Sequence, residues 1–315
     1  DYYYAKNPEY GATFTYYLKK APKTKQQIRR KKEKKLFKDG ERIPQPTWRE
    51  LEQEDLEEKA HLIFTSKNEA GKVIRKINKA PSSGMNRISW DLQSTAKYPI
   101  RSNDTFDPMK TGSSGPMVAP GKYSVELAMW DDGEITDLAG PQEFNVVPLK
   151  NTTLPAQNRD EMVAFMEKVM EMYGAVSGAN NMNKELIKRV ATIQQAIYAV
   201  PNAPEELADK ARTLAEELEE IRFAFHGVDA KASWEEIPPA KLPLMRRMSN
   251  LAGMHYSSTT DITETAKQQY KIMKELIPPV VEQLKKIAKE KIPALEAELD
   301  KIDAPWTPGR IPELD

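Results

Sequence analysis

The sequence predicts an α+β chain in which an antiparallel β-sandwich precedes an antiparallel helical bundle. Three observations lead there. The first half carries short stretches of period-two alternation separated by turn residues, the pattern of an immunoglobulin- or fibronectin-like sandwich. The second half carries apolar residues at helical spacing. Between them, residues 148–155 (PLKNTTLP) read as a connection. On this division residues 1–150 form the sandwich, 151–157 the linker, 158–303 the bundle and 304–315 a proline-rich docking tail.

The strands follow in order. Residues 13–18 (TFTYYL) read as the first. Leu62 and Phe64 precede the turn Asn68-Glu69-Ala70-Gly71, and Val73 and Ile74 follow it. Ile88, Trp90 and Leu92 alternate in the same way. Tyr123, Val125, Leu127 and Met129 face one side of a strand; Ser124, Glu126, Ala128 and Trp130 face the other. Asp131-Asp132-Gly133 then signals a tight turn, and Phe144 and Val146 form a last strand.

A charged insertion at residues 23–59 interrupts this pattern. Its first arm is basic (23–38, KTKQQIRRKKEKKLFK) and its second acidic (47–59, TWRELEQEDLEEK). We expect a helical hairpin, turned by Pro44 and Pro46, whose arms attract each other. Arg29-Arg30-Lys31-Lys32 is also a candidate phosphate or nucleic-acid patch. The acidic arm lies within a Debye length of about 10 Å and cancels its field, so no nucleic-acid partner is expected.

Four or five helices are expected in the second half. Met162, Phe165, Met166, Val169, Met170 and Tyr173 form one stripe; Leu186, Val190, Ile193, Ile197 and Val200 form a second. Leu207, Ala211, Leu214, Leu218, Ile221 and Phe225 form a third. A shorter helix covers residues 242–254. The last starts near Asp261, with Glu264 completing a capping box, and runs through Ile277, Val281, Leu284, Leu295 and Leu299. Pro278-Pro279 and Pro293 should kink or break it. Short connections make neighbouring helices antiparallel. The methionines sit on apolar faces and read as core filler.

Composition bounds the chemistry. The 315 residues hold 47 Lys plus Arg and 47 Asp plus Glu, so no global field draws the chain to nucleic acid or anionic membrane. No apolar run reaches the roughly 20 residues that span a bilayer. With no cysteine, disulfides and thiolate sites are excluded. The three histidines, His61, His226 and His255, are far apart, and no HExxH, GxSxG, Walker or GxGxxG pattern occurs. Glu216, Glu217, Glu219 and Glu220 read as a solvated helix face, and Asp131 and Asp132 as turn formers. No catalytic residue, metal or cofactor is therefore expected. The candidate interaction or docking residues are Trp306 and Arg310 in the tail and Trp130 in the sandwich. Trp306 is expected to anchor the tail on the chain's own body, with stacking on a sugar as the alternative.

Three segments carry a resemblance: YYYAKNPEYGATFTYYLK at the start, GPMVAPGKYSVEL, and DAPWTPGRIPE at the end. They resemble the region downstream of the propeller in bacterial sortilin-like, BNR-repeat "glycosyl hydrolase" proteins, common in Bacteroidetes and related bacteria. Apart from the charged insertion, the resemblance extends over essentially the whole chain. It implies an upstream β-propeller built from Asp-box repeats, S-x-D-x-G-x-T-W, none of which occurs here. The hydrolase label belongs to that propeller, and no catalytic residue carries over. The start at Asp1-Tyr2-Tyr3-Tyr4, without methionine, reads as that of a processed or partial chain. The expectation is a non-catalytic structural and interaction module at the carboxy-terminus of a larger exported protein, in the periplasm or at the cell surface. Its partners would be the propeller of the same polypeptide and another cell-envelope protein. Two rival readings are kept: part of a glycosidase or sialidase-like enzyme whose catalytic propeller lies elsewhere, and a scaffold subunit of a cell-surface or secretion assembly.

Overall fold

The computed structural model describes residues 5, 10–149, 153–229, 240–254 and 258–312. The chain is mixed α+β, antiparallel strands first and helices after. It divides into two units, residues 1–96 with 104–152, and residues 97–103 with 153–315. Residues 97–103 thus belong with the helices although they lie inside the first half of the sequence.

Among the described residues, eight strands build the first unit: β1 (Ala12–Leu18), β2 (His61–Asn68), β3 (Val73–Lys79), β4 (Gly84–Trp90), β5 (Gln93–Ala96), β6 (Ser113–Met117), β7 (Gly121–Asp131) and β8 (Glu134–Val146). They form a four-stranded sheet in the order β3-β2-β7-β8 and two pairs, β1-β4 and β5-β6, all antiparallel. The turns follow local chemistry. Asp132 and Gly133 both take positive φ between β7 and β8, as a two-residue hairpin turn of the right twist requires. Gly71 donates to the Asn68 carbonyl, and the Asn68 side chain accepts from Lys72 N–H. Leu62, Phe64 and Val125 are buried on one face of the large sheet. The β1-β4 pair supplies Phe14, Tyr16 and Trp90 against it. Phe14 stands 5.5 Å from Phe144, Tyr16 5.2 Å from Phe64, and Trp90 5.7 Å from Tyr123. Leu92 departs from the expected alternation: β4 ends at Trp90, and Leu92 takes positive φ on the way into β5.

Seven α-helices are described. Two lie in the insertion, α1 (Lys25–Lys38) and α2 (Trp48–Asp55). Five build the second unit: α3 (Arg159–Ala199), α4 (Glu205–His226), α5 (Leu244–Met254), α6 (Glu264–Lys286) and α7 (Ile292–Lys301). The two apolar stripes expected to form separate helices lie on one. α3 runs 41 residues without a break, about 60 Å at about 1.5 Å per residue. The intervening GAVSGANNMN resembles a helix end because asparagine and glycine compete with helix. Two of its asparagines instead reach across the bundle: Asn180 Oδ1 meets His226 Nε2 at 2.7 Å, and Asn183 Nδ2 donates to the Leu218 carbonyl. Both pairs join α3 to α4 with one number rising as the other falls, so the two helices are antiparallel. All six apolar residues assigned to the third stripe are buried in α4.

Glycine in α3 has two different roles. A Cβ at Gly174 would stand 2.2 Å from the Lys97 carbonyl oxygen, whereas one at Gly178 would meet nothing within 4 Å. Gly178→Ala is therefore expected to raise the stability of the helical unit by up to about 1 kcal/mol through helix propensity. Gly174→Ala should lower it, because residues 97–103 must move and the contact of Tyr98 with Tyr173, 5.4 Å between rings, is loosened. Thermal midpoints of the two variants check the opposite signs.

The last helix begins two residues later than the predicted cap. Thr263 is the N-cap and accepts from Ala266 N–H, while the Asp261 carboxylate accepts from Gln157 N–H instead. Pro278 and Pro279 do not end α6. The carbonyls they cannot serve are those of Lys274 and Glu275, both exposed residues, where water can serve them instead. The irregularity falls at a π-helical turn, Ile287–Lys291, where Ile292 N–H donates to the Ile287 carbonyl five residues back. Pro293 at the start of α7 has no N–H for the preceding turn, and the wider spacing accommodates it. Ion pairs then fix α7: Lys291 with Glu217, Lys210 with Glu298, and Arg189 with Glu296.

Candidate functional site

Two features present chemistry outward: the insertion and the tail. The insertion begins with two reciprocal caps. Thr24 and Gln27 cap α1, and Thr47 and Glu50 cap α2, each side chain serving the other's backbone N–H. Arg29 joins the arms, its Nε and Nη2 donating to the two Glu54 carboxylate oxygens at 2.6 and 2.8 Å, with Nη1 on Glu33. Glu57 accepts from the backbone N–H of Lys25. Lys25 also pairs with Asp132 at the β7–β8 turn.

This geometry sets the charge states. The Arg29 guanidinium holds the Glu54 carboxyl below its ordinary value. Hydrogen bonds from Thr47 hold Glu50 below its own. A carboxylate with a lowered pKa in the folded state contributes stability above the ordinary carboxylate range and loses it as pH falls through the lowered value. The amides of α2 should therefore keep their exchange protection at neutral pH and lose it under acid. In Glu54→Gln the protection should already be weak at neutral pH. Amide exchange corrected for intrinsic rate checks this.

Most of the basic arm is not engaged by the acidic one. Among the described residues, Arg29 and Lys25 are the cations of α1 that form ion pairs, and Arg30, Lys34 and Lys38 form none. Neither α1 nor α2 buries a residue. Phe37 is 75% exposed, Trp48 89% and Leu56 77%. The helical wheel, rather than the charge count, carries the signal that was missed in the sequence.

The tail is docked, with Arg310 rather than Trp306, of the two tail candidates, at the centre. Ala304 and Thr307 are buried, while Trp306 is 50% exposed. Arg310 is the centre of the contact. Its guanidinium lies 4.8 Å from the Trp306 ring and donates to Asp300 Oδ1 and to the carbonyls of Ala304 and Pro305. Gly309, at φ 104°, lets the chain pass Arg189, where a Cβ would stand 3.0 Å from the guanidinium. Trp306 and Arg310 thus act together, with the indole covering the cation. Arg310→Ala is expected to release the tail to proteases and to cost about 1–2 kcal/mol. Trp306→Ala should cost less, since half of that residue is already in water. Limited proteolysis with thermal midpoints ranks the two.

Trp130, the third candidate, lies in the first unit. Half-buried at the end of β7, it stacks 6.2 Å from the His61 ring. Its Nε1 has no hydrogen-bond partner among the described residues. His61 is buried with Nδ1 on the Lys59 carbonyl. His226 bonds Asn180, and burial, with the charges of Lys184 and Arg222, lowers its pKa. His255 lies outside the described residues. Among those described, no three His, Cys, Asp or Glu side chains are placed to hold a metal ion, and no helix is long and apolar enough to cross a membrane.

No protein-family model, curated protein or solved structure matches the chain.

Proposed function

We propose that this chain is a non-catalytic structural and interaction module, borne by a larger exported bacterial protein of the sortilin-like, BNR-repeat group on the carboxy-terminal side of its propeller. The insertion carries the reading as an interaction module. It is two short helices that bury no residue of their own and present cations and large apolar side chains to solvent. Exposed apolar groups beside charge mark surfaces that meet a partner. The place beside a propeller rests on the resemblance of the three segments, of which GPMVAPGKYSVEL spans the end of β6 and most of β7 and DAPWTPGRIPE contains the docked tail. We further read the first unit as an immunoglobulin- or fibronectin-like sandwich. The ring contacts of Phe14, Tyr16 and Trp90 with Phe64, Tyr123 and Phe144 support facing layers.

Lysine crosslinking in the source cells tests the module. Lys31, Lys34, Lys35 and Lys38 are expected to crosslink to residues outside their own hairpin, on another chain or another part of a longer one. Turnover of glycoside or peptide substrates by the purified chain would overturn the reading.

A further inference from the structure

The two helices of the insertion carry matching outward stripes of opposite charge. On α1, Arg30, Lys34, Phe37 and Lys38 follow the spacing i, i+4, i+7, i+8 and so share one face; all four are exposed. On α2 and its C-cap, Trp48, Glu52, Asp55 and Leu56 follow the same spacing and are likewise exposed. The arms are joined on another side, by Arg29 of α1 with Glu54 of α2, Glu33 holding Arg29 from its own helix; Arg30, next to Arg29, adds its field to Glu54 without an ion pair. Each outer stripe thus has charges at two or three positions and large apolar groups at the rest, with the sign reversed between them.

We propose that the insertion is a self-association element, in which the basic stripe of one copy lies against the acidic stripe of a second, and the reverse, about a two-fold axis. A two-fold interface requires a surface that is its own complement, and this hairpin supplies both halves. Two hairpins so joined give four helices around Phe37, Trp48 and Leu56 of both copies, the arrangement of a small bundle. The need for a partner is physical. Isolated helices shorter than about 12–15 residues are marginal in water, and neither of these two holds a fully buried residue.

A second copy fits better than the other occupants of a basic helix. Nucleic acid would be drawn to Arg30, Lys34 and Lys38 but repelled by Glu52 and Asp55 on the same insertion. A lipid surface needs one apolar face; on α1 Ile28 and Leu36 share one side at i and i+8, while Phe37 stands about 100° further round among Arg30, Lys34 and Lys38, so the apolar groups are split by cations.

The inference rests on the reading of the chain as an interaction module, and the two fail separately: substrate turnover removes the module, loss of self-association removes only this. The test is sedimentation velocity of the full chain over a concentration series, with circular dichroism confirming the fold of each variant. The parent is expected to dimerise, less strongly as salt rises from ~0.05 M to ~0.5 M. The acidic-stripe variant Glu52→Lys/Asp55→Lys and the basic-stripe variant Arg30→Glu/Lys34→Glu/Lys38→Glu should each self-associate at least about tenfold more weakly. Mixed together, they should form a heterodimer, because both contacts in the mixed pair are again complementary. Phe37→Ser should weaken the parent dimer without touching a charge. A parent that stays monomeric at low salt, or variants that fail to rescue each other when mixed, would overturn the proposal. So would salt-sensitive binding of double-stranded DNA lost with the basic stripe, which would make α1 a nucleic-acid face.

Discussion

Trp90→Ala is expected to destabilise the first unit by about 3–5 kcal/mol, the range for deleting a large buried aromatic. The indole is fully buried. It packs edge-on to Tyr123 at 5.7 Å and to Phe144 at 6.2 Å. Its Nε1 donates to the Gln93 carbonyl at 2.9 Å. Alanine leaves a cavity where the β1-β4 pair meets the large sheet, and it strips Gln93 of its donor. Trp90→Phe should lose less, since it keeps most of the ring packing and gives up the hydrogen bond. With two units in one chain, a single transition cannot be assumed. The loss should appear in the near-ultraviolet signal of the aromatic cluster under denaturant, while the helical far-ultraviolet signal holds to its parent midpoint. An unchanged aromatic transition would show that Trp90 does not hold the layers together.

Glu296→Ala should cost the helical unit about 2–4 kcal/mol. The Glu296 carboxylate is buried and accepts from Arg189 Nε at 2.7 Å and Nη2 at 2.6 Å. Removing it leaves a guanidinium with much of its hydration already gone. Deleting one partner of a fully buried pair costs about 3–5 kcal/mol; Arg189 is one-third exposed, so the effect falls toward the lower part of that range. The tail should loosen with it, since Gly309 packs against the Arg189 guanidinium. Replacing both partners, as Arg189→Leu with Glu296→Leu, should recover most of the loss, because no charge is then left buried. A double-mutant cycle on thermal unfolding tests the pair; additive effects would mean that the two side chains do not act as a unit.

Much of the fold was legible from periodicity alone. The alternation of Tyr123 and Val125 marked the core face of β7, and the spacing of Leu207 to Phe225 marked α4 residue by residue. What was misread involves side chains whose partners are distant in sequence. Asn180 and Asn183 signal a helix end until His226 and Leu218 are known to receive them. Pro278 and Pro279 signal a break until their exposed side is known. β5 and β6 carry no alternation strong enough to see, being short and built from Ser, Thr, Gly and Pro. The charged hairpin was visible as an element, and its caps were present in the spacing Thr24-x-x-Gln27 and Thr47-x-x-Glu50. Its outward stripes were not, because opposite charge invited the conclusion that the arms cancel. In the fold Arg29 and Glu54 join the two arms, and Lys34, Lys38, Glu52 and Asp55 are exposed on other faces. In the tail the two docking candidates divide the contact differently from the expectation. Size favoured Trp306 as the buried anchor, whereas Arg310, with backbone carbonyls and Asp300 within reach, is the residue that loses its water.

The central claim, that this chain is one module of a larger exported protein, is tested most directly by the intact mass of the native polypeptide that carries it. Antibody raised against the purified chain, followed by mass measurement and peptide mapping, reads that mass. A polypeptide far heavier than 35.8 kDa, with Asp-box peptides upstream of the sequence described here, is the expected result. A polypeptide of about 35.8 kDa newly synthesised as such, with no propeller attached, would contradict it.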